Sequence, residues 1–163
     1  MQEMFKESQN RIKSMALIHD MLYKSKDFAR IELGNYIRGL TGQLFNTYRV
    51  SSSIVRSKTD VRDIFLDLNR AIPCGLIINE LVSNSLKYAF PEGRKGEICV
   101  KVHRDKKGKF TLIVSDNGIG IPKELDIYKT ETIGLKLVAT FGDQLKGNIK
   151  LDRRGGTTFK ITF

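Results

Sequence analysis

Residues 74–90 read CGLIINELVSNSLKYAF, and this stretch decides the fold. At about 100° per residue with Glu80 as zero, Asn84 lies at about 40°, Lys87 at about −20° and Tyr88 at about 80°. Ile78, Leu81, Val82, Ser85 and Ala89 gather on the other side. The spacing predicts one amphipathic helix from about Asn69 to Phe90, its apolar side on a sheet. Pro73 is expected in its first turn and Pro91 closes it. The opposite side carries a carboxylate, an amide and an ammonium. Any solvated helix face can carry such groups, and Glu80–Asn84 is also an ordinary i,i+4 pair. Asn79 and Asn84 in mid-helix favour a functional reading, because asparagine is a mediocre helix former. An amide oxygen is a neutral, hard ligand for Mg²⁺, and a lysine one turn on offsets phosphate charge. A tyrosine offers a face to a purine, and a carboxylate one turn earlier can accept a proton from an attacking group.

Downstream, EICVKVHR and FTLIVSD predict strands joined by the turn DKKGK. The second strand runs into DNGIGIP, Asp116 to Pro122. A strand ending in aspartate before Gly-x-Gly places one acceptor at the sheet edge and lets backbone approach a ligand closely. DNG is equally ordinary hairpin-turn chemistry. An irregular loop is expected to about Ile133, then a helix over about 134–145 whose free N-terminal N–H groups favour phosphate. NIKLDR and TTFKITF close the chain as strands, with Gly155, Gly156 and Thr157 at the entry to the last one.

Upstream, Met1, Phe5, Ser8, Ile12, Met15, His19 and Leu22 recur in steps of four and three, the spacing of a helix seam over residues 1 to about 24. No capping signal opens this helix, so it is expected to be one arm of a longer helical hairpin. A second helix is predicted over Leu33 to about Tyr48, and SSSIVRS and VRDIFLDL are expected to form a strand pair. The class is an α/β (α+β) two-layer sandwich: a mixed, largely antiparallel sheet covered by helices on one face, preceded by an N-terminal helix.

The 163 residues are enough for one domain with a proper core, and 40% hydrophobic with 28% charged residues fits a globular protein. No apolar run approaches the roughly 20 residues of a membrane span, and the N-terminus is too polar for a secretory signal. Cys74 and Cys99 show no metal-site spacing and read as buried thiols, for which a cytoplasmic setting is expected. The formal charge of +10 invites nucleic acid. The basic residues are nevertheless spread along the chain, and the densest stretch, Arg94 to Lys109, has no interleaved aromatics; no nucleic-acid partner is expected.

The ordered set NELVSNSLKYAF, DNGIGIP, TIGLKLV and GGTTF resembles the ATP-binding boxes of the GHKL superfamily, over roughly residues 50–163. That superfamily comprises sensor histidine kinases, the DNA gyrase B subunit, a heat-shock chaperone and MutL. The N-terminal ESQNRIKSMALIHDMLYKSKDFARIELGNYIRGL resembles the tail of the dimerisation helices of one histidine-kinase subfamily. The resemblance implies a Bergerat-type ATP-binding fold, ATP and Mg²⁺ as ligands, and a division into residues 1–28 (dimerisation and phosphoacceptor hairpin) and 29–163 (catalytic domain). It implies that Asn84 ligates Mg²⁺, Lys87 contacts phosphate, Tyr88 packs on adenine, and Asp116 reads the adenine amine with Thr157 supporting through water. Gly118 and Gly120 would shape the adenine pocket and lid hinge, Gly134 and Leu135 would end the lid near the phosphates, and Glu80 would assist the attacking histidine.

Three features depart from the family pattern. No phenylalanine lies between Asn117 and Ile133, and the lid of about 15 residues is short. The acceptor motif is absent: His19 sits on the apolar seam and His103 in a strand, and both read as structural. The favoured reading is a kinase domain that transfers the γ-phosphoryl to a histidine outside this sequence, within a homodimeric parent protein, and thence to a response-regulator aspartate. A GHKL ATPase or anti-sigma-type serine kinase is the alternative. A binding module without catalysis is the third.

Overall fold

The computed structural model describes residues 2–163, with side chains from residue 4 onward. Helix α1 (Gln2–Tyr23) leads through a short strand β1 (Ile31–Glu32) into α2 (Leu33–Tyr48). The α2 start is fixed by Glu32, whose carboxylate accepts from the N–H groups of Gly34 and Asn35 and so satisfies donors the helix cannot. Strands β2 (Val55–Val61) and β3 (Phe65–Leu66) precede α3 (Leu68–Asn84), which Asp67 caps. Then come β4 (Gly96–Arg104), β5 (Phe110–Asp116), α4 (Ile133–Gln144), β6 (Asn148–Asp152) and β7 (Thr157–Thr162).

Five strands form one sheet in the order β2-β4-β5-β7-β6, with β2–β4 parallel and the remaining pairs antiparallel. Direct cross-strand partners share a face. Val61, Val102, Leu112, Ile161 and Ile149 form one such row, all buried beneath the helices. The adjacent row, Lys101, Ile113, Lys160 and Lys150, lies on the open face. That alternation makes the two-layer sandwich expected from sequence. The core continues into α2 through Leu33, Ile37, Leu40 and Leu44, and reaches α1 through Ile18 and Leu22. Among the described residues, no helix is long and apolar enough to cross a membrane. Both cysteines are buried free thiols.

Four expectations need correction. The buried edge of α1 is Asn10, Ser14, Ile18 and Leu22, whereas Phe5, Ser8, Ile12, Met15 and His19 are exposed. Only Leu22 of the expected seam faces inward, and Met1 lies outside the described residues. Periodicity finds a stripe but cannot say which stripe the rest of the fold covers. His103 is likewise exposed, on the open sheet face. Strands β2 and β3 do not pair with each other: β2 joins the main sheet beside β4, and β3 pairs with β1. Finally, α3 begins at Leu68, so Pro73 lies in its second turn, where the missing N–H leaves the carbonyl one turn back without its helical donor.

Candidate functional site

The α3 helix does not continue regularly to Phe90. After Asn84 it widens into a π turn, Ser85–Ala89, and such turns change the angle between successive side chains. The regular helix expected to Phe90 therefore ends at Asn84, although Ser85 and Ala89 stay buried and Lys87 and Tyr88 stay on the polar side. Ser85 faces the sheet as expected, but its role there is polar: its hydroxyl donates to Asp116 Oδ2 on β5 at 2.6 Å. Lys87 is half-buried, and Tyr88 is 60% exposed at the rim of a cavity of about 520 Å³, a size typical of small-ligand sites.

The walls of this cavity come from the end of α3, the end of β5, the loop over residues 117–132, the start of α4 and the start of β7. Of the residues singled out from sequence, Asn84, Lys87, Tyr88, Asp116, Gly120, Gly134, Leu135 and Thr157 line it. Val114, Phe159 and Leu81 add apolar surface. Asp116 is 8% exposed and sits directly across from Thr157 in the β5–β7 ladder. Its Oδ1 accepts from the Gly118 N–H at 3.0 Å and its Oδ2 from Ser85. Each oxygen keeps a free lone pair, so a buried acceptor with spare capacity borders an apolar cavity, and burial makes an unmet acceptor expensive. The arrangement suits a planar ligand whose edge carries an N–H donor.

Two glycines make that geometry possible. At Gly156 φ is +121°, and a Cβ there would lie 2.0 Å from the Asp116 carbonyl oxygen. Gly118 is not a wall of the cavity. It lies against the π turn, where a Cβ would sit 2.3 Å from the Ala89 carbonyl oxygen, and the neighbouring Ile119 N–H donates to that oxygen at 2.9 Å. The loop is thus anchored to α3 beside Asp116.

The polar side of α3 is not open to solvent. Helix α1 lies antiparallel across it, and the contacts run in opposite order along the two helices. Ser14 donates to Asn79 Oδ1 at 2.6 Å, Arg11 forks onto Glu80 at 2.7 and 3.0 Å, and Lys87 donates to Glu7. Asn79 also donates to Glu80 Oε1 at 3.3 Å. Glu80 is 5% exposed and does not line the cavity, although its Oε2 abuts Gly134. The hydrogen bond with Glu80 raises the Arg11 pKa above its ordinary value. Burial pulls the Lys87 ammonium down, but the bond to Glu7 together with the neighbouring Tyr48, Glu7 and Tyr88 outweighs it, and the net shift is upward. Glu7 and Arg11 line the cavity and escaped sequence reasoning, as did Ser85. The only signal was the i,i+4 spacing of Glu7 and Arg11, which any solvated helix shows.

The residues present fit a nucleotide and a metal that the nucleotide brings with it. The cavity offers apolar walls and one buried acceptor at one end, and an amide and a cation, Asn84 and Lys87, on the adjoining α3 turn. Among the described residues no group of three or more His, Cys, Asp or Glu side chains could hold a metal by itself. Mg²⁺ held mainly by phosphate oxygens and water needs no such group.

Comparison with known proteins bears on the family of the chain. A family model described as histidine kinase matches residues 1–48, and one described as histidine kinase-, DNA gyrase B-, and HSP90-like ATPase matches residues 69–163. The sensor histidine kinase PdtaS of Mycobacterium tuberculosis is 29% identical over 135 residues, covering 82% of this chain and 26% of that protein. Blue-light-activated histidine kinase 2 of Erythrobacter litoralis is 23% identical over 150 residues, covering 86% of this chain and 43% of its own. The chain thus spans about a quarter of the length of the mycobacterial relative. Among solved structures, the Erythrobacter litoralis EL346 blue-light activated histidine kinase superposes with a TM-score of 0.83 at 19% identity, over 95% of this chain and 52% of that one. The Acinetobacter baumannii histidine kinase AdeS gives 0.62 at 16% identity, over 93% and 75%. At those identities the likeness shows a shared fold.

Proposed function

The chain belongs to the histidine kinase-, DNA gyrase B-, and HSP90-like ATPases, and from that membership we propose that its cavity binds MgATP and directs the γ-phosphoryl to a histidine outside this sequence. The single observation that supports this most is the meeting of Asn84, Lys87 and Tyr88 from α3 with Asp116 from β5 around one cavity. The Asp116 carboxylate accepts from the exocyclic amine of adenine, with Thr157 assisting through water, and Tyr88 packs on the ring. Gly118 and Gly120 shape the pocket and the hinge of the loop that covers it, and Gly134 and Leu135 close that loop beside the phosphates. Lys87 offsets phosphate charge, and the Asn84 amide oxygen supplies the protein ligand to Mg²⁺. The metal contributes charge neutralisation at the transferring group. What the residues do is mainly positioning and electrostatic stabilisation, as phosphoryl transfer requires. Glu80 assists the acceptor imidazole once Arg11 releases it.

The acceptor helix of the parent kinase is the first partner and a response-regulator aspartate receives the phosphoryl next. The parent is a homodimer acting at the cytoplasmic side; within this chain, residues 1–28 belong to its dimerisation hairpin and residues 29–163 form the catalytic domain. A hydrolytic ATPase or serine kinase is less well supported, because residues 1–48 match the histidine kinase family model. The test is phosphotransfer from radiolabelled ATP to a separately supplied acceptor helix. Asn84→Ala is expected to abolish transfer and to weaken MgATP much more than metal-free ATP. Unchanged affinity and transfer in that variant would remove the metal assignment.

A further inference from the structure

Four ionised side chains converge where α1 crosses the end of α3. Glu7 and Arg11 come from α1, and Glu80 and Lys87 from α3 and its π turn. The set is electrically balanced, two carboxylates against two cations. Arg11 is fully engaged by Glu80 through both of its fork bonds, and Lys87 is engaged by Glu7. Their side chains are only 16% and 27% exposed, so the Lys87–Glu7 contact is poorly screened. The Lys87 Nζ also lies 5.8 Å from the ring centroids of both Tyr48 and Tyr88, which hold the ammonium in one place. Glu7 and Lys87 both line the cavity.

A triphosphate entering this cavity meets a site whose cation is already occupied by a carboxylate. Phosphate and Glu7 would then compete for the same ammonium, and their like charges repel at close range. We propose that Glu7 is an affinity-setting residue of the nucleotide site. It stands in for phosphate on Lys87 and is displaced when phosphate binds, so that docking of α1 and binding of nucleotide oppose each other through Lys87. The inference rests on the proposed reading of Lys87 as the phosphate contact. By reciprocity, what nucleotide takes from the α1 contact, the α1 contact takes from nucleotide affinity.

The test uses the whole 163-residue chain and two ligands, MgATP and adenosine, titrated calorimetrically into the wild type and Glu7→Gln. Glutamine keeps the size of the side chain and removes the charge. The expected result is about fivefold tighter MgATP binding in Glu7→Gln, with adenosine affinity the same in both proteins. In the wild type, MgATP but not adenosine is expected to raise hydrogen exchange of the α1 amides around Glu7. Equal or weaker MgATP binding by Glu7→Gln, an equal gain for adenosine, or unchanged α1 exchange on adding MgATP each overturns the proposal while leaving nucleotide binding standing. Wild type that binds neither ligand overturns the nucleotide reading and this inference together. The exchange measurement needs no variant, so it decides the matter even if Glu7→Gln folds poorly.

Discussion

At the residue scale the site depends on how Asp116 is held. Its oxygens each take one bond, from Ser85 and from the Gly118 N–H, and each keeps capacity for a ligand. Asp116→Asn replaces one acceptor with a donor, which then opposes the adenine amine. We expect MgATP affinity to fall at least about tenfold with little change in thermal midpoint, read by calorimetry and thermal denaturation. Ser85→Ala leaves the carboxylate in place but frees it to rotate. It should cost about 1 kcal/mol of stability in denaturant titration and lower nucleotide affinity more modestly. Cys74 offers a different test. Burial pushes its thiol up to about 12 from the ordinary 9.0. Between those values the unfolded chain ionises this thiol and the folded one does not, so the stability it contributes is whole below about pH 9 and is lost as pH rises toward 12. Burial raises the Tyr36 phenol as well, which adds to the fall above about pH 10. The urea midpoint should therefore drop between pH 8.5 and 10.5, and Cys74→Ala should flatten that drop.

At the scale of elements, the decisive contact is α1 against α3. Arg11→Ala leaves Glu80 buried without its cation, which costs about 3 kcal/mol, whereas Arg11→Ala with Glu80→Gln should recover much of the loss. Chemical denaturation of the two variants measures the difference. The β5–β7 junction is equally sensitive. Gly156→Ala would place a methyl against the Asp116 backbone at a φ of +121°, and nucleotide binding should be lost before the fold is. Most elements were legible in the chain itself. Leu33–Tyr48 was bounded from its apolar period, and the β4–β5 hairpin from alternation around a glycine turn, because those patterns are local. The α1 seam was not. A helix with an apolar stripe at Phe5, Ile12 and Met15 and a mixed one at Asn10, Ser14, Ile18 and Leu22 announces both, and only the neighbours it packs on choose between them. The β2–β3 expectation failed similarly: proximity in sequence suggested a pair, while each strand found its partner elsewhere.

At the scale of the whole molecule, the stripe that α1 leaves uncovered has a consequence. Met4, Phe5 and Ile12 are each at least 65% exposed, with Met15 at 43%, and exposed apolar patches of this kind drive association. We expect concentration-dependent self-association of the chain by light scattering, reduced in Phe5→Ser with Ile12→Ser, and MgATP affinity unaltered by that double change.

Hydrophobic period, turn chemistry and caps act over a few neighbouring residues, so the local order of helices and strands and the residue types at each box are written in the chain. Tertiary structure decided what those residues face. It turned Ser85 onto Asp116 through a π turn, laid α1 over the polar side of α3, and closed Glu80 behind Arg11. Those contacts join residues 31 to 80 positions apart, and nothing in a local pattern encodes which distant charge or hydroxyl will neutralise a buried one.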